Sequence, residues 1–214
     1  MLDIVQFVLS HLPPRPARVL EVGCGSGELA RALHAAGYDV MAIDPVAPHG
    51  DIFRRIKLED LEEDARFDAV VASGVFHHLT NLDAGLQRVA GVLERGGPVV
   101  VDEFGWDLLD APTAEWYEGQ RRVLRAALES DRAPSAADWE EHHARLHHVH
   151  RFDTLREALE THFVEHHFER VPYLWRYLGG PASLPLEETL VAAGAIQAIG
   201  FRFVGIPRPA APFG

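Results

Sequence analysis

The sequence predicts an α/β fold: a mostly parallel sheet, doubly wound, with helices on both faces. Three observations carry that expectation. Short apolar runs alternate with stretches whose apolar residues repeat at helical spacing, as in successive right-handed strand–helix–strand units. The runs at 17–22, 67–73 and 98–104 are apolar almost throughout, which suits strands covered on both faces. The first run ends in a glycine-rich turn, Gly23-Cys24-Gly25-Ser26-Gly27, that leads directly into a helical stretch.

Residues 4–12 read as a short helix with Ile4, Val5, Val8, Leu9 and Leu12 on one side, stopped by Pro13 and Pro14. The first strand follows at 17–22. A helix is expected over 26–36, with Leu29, Ala30 and Leu33 facing the core and Gly37 as its stop. A second strand at 38–44 ends on Asp44 and Pro45, and a weaker third is expected at 53–57. The fourth strand is 67–73. Leu82, Leu86, Val89 and Leu93 then mark an amphipathic helix over 81–97, ended by Gly96 and Gly97. The fifth strand, 98–104, carries Asp102 and Glu103 near its end.

Beyond residue 104 the pattern changes. Residues 107–148 read as helices, with Trp106, Trp116, Tyr117 and Trp139 scattered among charges. A further helix is expected at 153–161 and a strand at 163–171. Two helical pieces flank a loop at 179–185, and a last strand lies at 200–206. The chain, 1–214, reads as one domain. It has an N-terminal helix within 1–16, a core at 17–104, a helical region at 105–198 holding one strand, and a final strand within 199–207.

Composition narrows the partners. With 214 residues, 47 % of them hydrophobic, the chain can build a core without disulfides or metal. Its net charge of −12 disfavours a nucleic-acid partner, which needs a basic face. Arg121, Arg122 and Arg125 are the best local basic patch, and they read more naturally as a solvated helix face. Cys24 is the single cysteine, so nothing points to an oxidising compartment. Asp3 stands where a secretory signal would carry a basic residue. No apolar run approaches ~18 residues, so no membrane span is expected and the cytoplasm is the expected location.

The glycine turn has a physical logic. The chain must reverse tightly from strand to helix, and a ligand must approach the backbone without meeting a Cβ. Asp44 closes the next strand, 21 positions after Gly23. A carboxylate there can accept hydrogen bonds from both hydroxyls of a ribose. Together these features indicate a nucleoside cofactor. A dinucleotide turn would place a third glycine where Glu28 stands, and that glycine serves close helix–strand packing.

Glu21 followed by G-x-G-x-G, with Asp44, resembles motif I and the ribose-binding acid of class I S-adenosylmethionine-dependent methyltransferases. RFDAVVASGVFHHLTNL (66–82) resembles that family's fourth-strand motif, and LERGGPVVVDE (93–103) its fifth strand and preceding loop. IGFRFVGI resembles its last strand. The resemblance is good over 17–104, loose at the C-terminus, and silent over 105–198.

It implies a Rossmann-like seven-stranded sheet of order 3-2-1-4-5-7-6 with the last strand antiparallel. It implies S-adenosyl-L-methionine as cofactor and S-adenosyl-L-homocysteine as product. Glu21 would then help to hold the methionine amino group. Gly23, Cys24, Gly25 and Gly27 would pass under the methionine part, Asp44 and Pro45 would meet the ribose, and Ser73 and Gly74 would close the end of the fourth strand. One departure stands out. Many relatives carry an adenine-binding Asp after the third strand. Setting Asp60-Leu61 in register with their frequent E-D-L places Lys57 there, so Leu58 and Glu59 would approach adenine instead.

Thirteen histidines invite functional readings. His77 and His78 follow the fourth strand, beside the expected sulfonium, and with Glu103 are the candidates for a general base. A packing or pocket-shaping role for the pair weighs equally. His143 and His147, with Glu140 and Glu141 near, have metal-ligand spacing on a helix; polar helix surface is the weightier reading, and no metal is expected. His166 and His167 should point to opposite faces of their strand.

The expected reaction is an in-line SN2 transfer of a methyl group to an oxygen, nitrogen or carbon of a small-molecule acceptor, by a monomer or homodimer. Residues 4–12 and 105–178 would form the lid, with Trp106, Tyr117, Trp139 and Trp175 lining the acceptor pocket or serving as plain core. Two alternatives stay open at this point: an NAD-dependent oxidoreductase, and a protein that binds S-adenosylmethionine or S-adenosylhomocysteine without catalysis.

Overall fold

Parallel strands buried on both faces need two helical layers, and alternate residues of each strand supply the two apolar surfaces. A computed structural model describes residues 2–61, 64, 66–128, 135–137 and 149–209. Its elements run α1 (Leu2–His11), β1 (Arg18–Val22), α2 (Glu28–Ala35), β2 (Asp39–Ile43), β3 (Phe53–Arg54), β4 (Ala69–Ser73), α3 (Leu82–Val92) and β5 (Val99–Phe104). Then come α4 (Ala111–Leu128), α5 (Phe152–His162), β6 (Phe163–Val171), α6 (Leu184–Ala192) and β7 (Gly200–Pro207).

One seven-stranded sheet has the order β3-β2-β1-β4-β5-β7-β6. The pairs from β3 to β5 are parallel, and β7 runs antiparallel to both β5 and β6. This is the order that the family resemblance implies.

Leu20, Val22, Val70, Ala72, Val99, Val101, Phe201 and Phe203 share one face, packed with Leu82, Leu86 and Val89 of α3 and Leu155 and Leu159 of α5. Their chain neighbours Val19, Ala69, Val71, Val100 and Val204 face the other way, with Phe7 and Val8 of α1 and Leu29, Ala30 and Leu33 of α2. A third cluster, around Phe104, Tyr117, Tyr173, Leu174 and Ile199, joins α4 to the C-terminal end of β5. Among the described residues no helix is long and apolar enough to cross a membrane.

Several expected elements differ in extent. The third strand shrinks from 53–57 to Phe53–Arg54, because it pairs only with β2 and β2 ends at Ile43, opposite Arg54. The helix expected to reach residue 97 stops at Val92: Leu93 turns extended, at φ −77 and ψ 137, and bridges Phe67. Within 179–185, read as loop, lie the 3₁₀ turn Gly180–Ala182 and the start of α6. A bulge between Glu165 and His167 interrupts β6, leaving His166 exposed while His167 packs against the ring of His11 at 5.2 Å. Trp139, Glu140, Glu141, His143 and His147 lie outside the described residues, so the metal-spacing motif does too.

Candidate functional site

β1 delivers the chain to the C-terminal edge of the sheet, where the glycine turn begins. The Gly23 and Cys24 amides both donate to the carbonyl of Ile43, at 2.9 and 3.1 Å, tying the turn to the end of β2. Gly23 has φ 73, and a Cβ there would stand 2.4 Å from Val75 Cγ2. The turn and the segment after β4 therefore touch, and only glycine permits it. Gly25, at φ 49, would meet nothing within 4 Å if it carried a Cβ, so that side of the backbone is open to a ligand. Gly27 caps α2 at φ 77.

Asp44 is held from behind. Its Oδ2 accepts from the Gly25 amide at 3.0 Å and its Oδ1 from the Val46 amide at 2.8 Å. Each oxygen keeps a lone pair for a hydroxyl donor. Glu21 stands on the α2 side of β1 by strand alternation and is 3 % exposed. Among the described residues its Oε2 has no hydrogen-bond partner. Burial pushes its carboxyl up to about 8, hydrogen bonding by the Ala30 backbone pulls the other way, and the nearby Asp44 charge adds to the rise.

A cavity of about 1110 Å³ runs along this edge of the sheet. Of the residues expected to touch a cofactor, Gly23, Cys24, Gly25, Asp44, Pro45, Leu58, Glu59, Ser73 and Gly74 line it, and His78 does too. Glu21, Gly27, His77 and Glu103 are not in its wall. Among the described residues no group of three or more His, Cys, Asp and Glu is placed to hold a metal ion.

Glu103 explains the geometry around His78. It is fully buried on β5, and its Oε1 accepts from the amides of Val75 at 2.7 Å and Phe76 at 2.6 Å. Its Oε2 lies 2.8 Å from His77 Nδ1. Burial works against the charge, yet the His77 ring and the Phe76 and Phe104 amides outweigh it and hold the carboxyl below its ordinary range. Glu103 thus fixes the 3₁₀ turn Phe76–His78, with His77 buried as its partner and the exposed His78 presented to the cavity.

A second stretch of the wall uses the same device. The Glu187 carboxylate of α6 accepts from the amides of Tyr173, Leu174 and Trp175 at 2.6–3.0 Å, and this fixes the turn that brings Trp175 and Arg176 to the cavity. Among the described residues Trp175 is the one anticipated aromatic that reaches the wall. Trp106 and Tyr117 pack in the α4 cluster, and Trp139 lies outside the described residues. Arg176, Gly180 and Pro181 also line the cavity, and no motif in the sequence singles them out. Ile4 of α1 contributes from the segment expected to form the lid.

Replacing Glu103 by Gln leaves an amide NH₂ facing backbone donors and should cost about 3–5 kcal/mol of stability above pH 5. A depressed carboxyl stabilises the fold above its unfolded value of 4.5, and this is lost as pH falls through the lower folded value. Urea denaturation of both proteins should therefore show a gap that narrows as pH falls below about pH 4. A gap independent of pH down to pH 3 contradicts the assignment.

Comparison with known proteins agrees with this geometry. A family model described as a methyltransferase domain matches residues 1–162. Mitochondrial ubiquinone biosynthesis O-methyltransferase of Rattus norvegicus is 36 % identical over 120 residues, covering 46 % of this chain and 35 % of that protein. The corresponding enzyme of Rhodopseudomonas palustris is 28 % identical over 144 residues, covering 60 % of this chain and 57 % of that one. The chain thus spans 35 % to 57 % of the length of these curated relatives. Among solved structures, 1,6-didemethyltoxoflavin-N1-methyltransferase of Burkholderia thailandensis, with S-adenosylhomocysteine bound, superposes with a TM-score of 0.58 at 19 % identity, covering 97 % of this chain and 76 % of that one. That likeness is one of fold. With three quarters of its length matched by the family model, this chain belongs to the methyltransferase-domain family.

Proposed function

We propose that the chain transfers a methyl group from S-adenosylmethionine to a small-molecule acceptor. The observation that carries this reading is the pairing of an acid in the cavity wall, Asp44, with a buried acid, Glu21, on the strand that leads into that wall. Asp44 is oriented by two amides with lone pairs to spare, and Glu21 is buried beside it with an unpartnered oxygen. A carboxyl that burial keeps protonated suits a cationic amino group as its missing partner. Asp44 would hold the ribose, Leu58 and Glu59 the adenine, and Gly23 to Gly25 the methionine portion. Glu28 opens α2 and lines the cavity; its charge at a helix N-terminus opposes a pyrophosphate there, which counts against a dinucleotide.

When bound, S-adenosylmethionine supplies a methyl carbon activated on a sulfonium, and S-adenosylhomocysteine remains once an acceptor lone pair has taken it in line. The chain's own task is to align the acceptor and exclude water. We assign the proton-accepting role to His78, which lies in the cavity wall with its ring 4.0 Å from that of His77. Glu103 and His77 act as positioning residues. Residues 1–214 work as one domain, and the overall charge of −12 favours a small acceptor over nucleic acid.

Calorimetric titration with S-adenosylhomocysteine should give saturable binding that weakens at least tenfold in Asp44→Ala. No binding by the intact chain, or undiminished binding by the variant, refutes the cofactor assignment. Glu21 adds a pH signature. Its raised value means the native chain keeps a proton between pH 4.5 and 8 that the unfolded chain has lost. This contribution to stability is complete below 4.5 and declines as pH rises through 8. A ligand ammonium should expel that proton, so the binding heat at pH 7 should vary with the ionisation enthalpy of the buffer. In Glu21→Gln it should not, and buffer-independent heat in the intact chain contradicts this role. Once an acceptor is in hand, His78→Ala should lower kcat by about 10²-fold or more with S-adenosylhomocysteine affinity within twofold; unchanged kcat removes the base.

A further inference from the structure

The cavity is electrically polarised along the sheet. Asp44, Glu28 and Glu59 stand at its β1–β3 end and outnumber the cation there, Lys57, while the β4–β5 end is closed by another cation, Arg176. Arg176 Nη2 lies 2.6 Å from Asp102 on β5, whose register partner on β4 is Ser73 of the cavity wall. The guanidinium also packs over the rings of Tyr173, at 4.4 Å, and Trp175, at 5.4 Å. Glu187 fixes the backbone that carries it.

Asp102 does not neutralise this cation by itself. The Asp102 carboxylate is 1 % exposed and shared: Oδ2 faces Arg176 and Oδ1 faces Arg202 at 3.3 Å. Two guanidiniums thus stand on one carboxylate, and the further acid near Arg176, Glu187, has its carboxyl pushed up by burial and already accepts from three backbone amides. Arg202 reaches a second acid, Glu169, whose side chain is 40 % exposed, so solvent screens that pair. The Arg176 side chain remains 24 % exposed, and Arg176 forms part of the cavity wall.

Resting on the methyltransferase reading, we infer that the methyl acceptor is a carboxylate-bearing molecule with an apolar body, recognised through its anion by Arg176. A sulfonium and a guanidinium facing one cavity repel each other, and an anion between them relieves both. The fixed planar fork of arginine suits a carboxylate, with little side-chain entropy left to lose. Val75, Leu79 and Pro181 in the same wall supply apolar contact for the rest of the acceptor.

The test titrates the S-adenosylhomocysteine-loaded protein with benzoate, indole-3-acetate and hexanoate, each against its uncharged amide. At least one carboxylate should bind tenfold or more tighter than its amide. In Arg176→Gln that preference should fall below threefold, while S-adenosylhomocysteine affinity stays within twofold. Arg176→Lys keeps a charge beside Asp102 and decides the matter if the Gln variant fails to fold; its preference should fall at least threefold. Cofactor binding with no carboxylate preference, or a preference that survives both substitutions, overturns the acceptor inference alone. A tenfold loss of S-adenosylhomocysteine affinity in Arg176→Gln overturns it by assigning the arginine to the cofactor. If the intact chain does not bind S-adenosylhomocysteine, the methyltransferase reading falls, and this inference falls with it.

Discussion

Glu103 is a carboxylate without water, and its position dictates much of what surrounds it. A buried charge must be matched by fixed donors. The donors here are the amides of Val75 and Phe76 and the ring of His77. Satisfying them forces the chain after β4 into a tight turn against the end of β5. That turn brings Val75 against Gly23, so the glycine loop also depends on it. Glu187 does the same for the turn at 173–176. Two buried acids, neither in the cavity wall, thus fix two of the segments that form it.

The acids nearer the expected cofactor behave differently. Asp44 is directed by two amides toward the cavity, whereas Glu21 is buried with one oxygen unmatched and a raised proton affinity. An unmatched buried group is a cost that a protein keeps where a ligand will meet it. Asp44 and Glu21 at one end and Arg176 at the other give the cavity a direction. Cationic groups fit the first end and anions the second.

The core of this arrangement is legible in the sequence because it depends on local rules. Apolar runs, a glycine turn and an acid at a strand end are each written in consecutive residues, and the sheet order follows from the resemblance they support. The third strand is shorter than its sequence suggests because its length depends on where β2 ends. The carboxylate of Glu103 was expected among the candidate bases, but its role depends on amides 26–28 positions away. Nothing near Arg176 or Glu187 marks either residue. Their importance arises from contacts across the fold, such as Arg176 with Asp102, 74 positions apart.

The central claim is that the acid pair of Glu21 and Asp44 marks the cofactor end of the cavity. A crystal structure with S-adenosylhomocysteine tests it most directly. The account predicts both ribose hydroxyls within about 3 Å of the Asp44 oxygens, the amino group on the Glu21 side of the glycine turn, and the adenine beside Leu58 and Glu59. A ligand whose ribose lies away from Asp44, or whose amino group points toward Arg176, would contradict it.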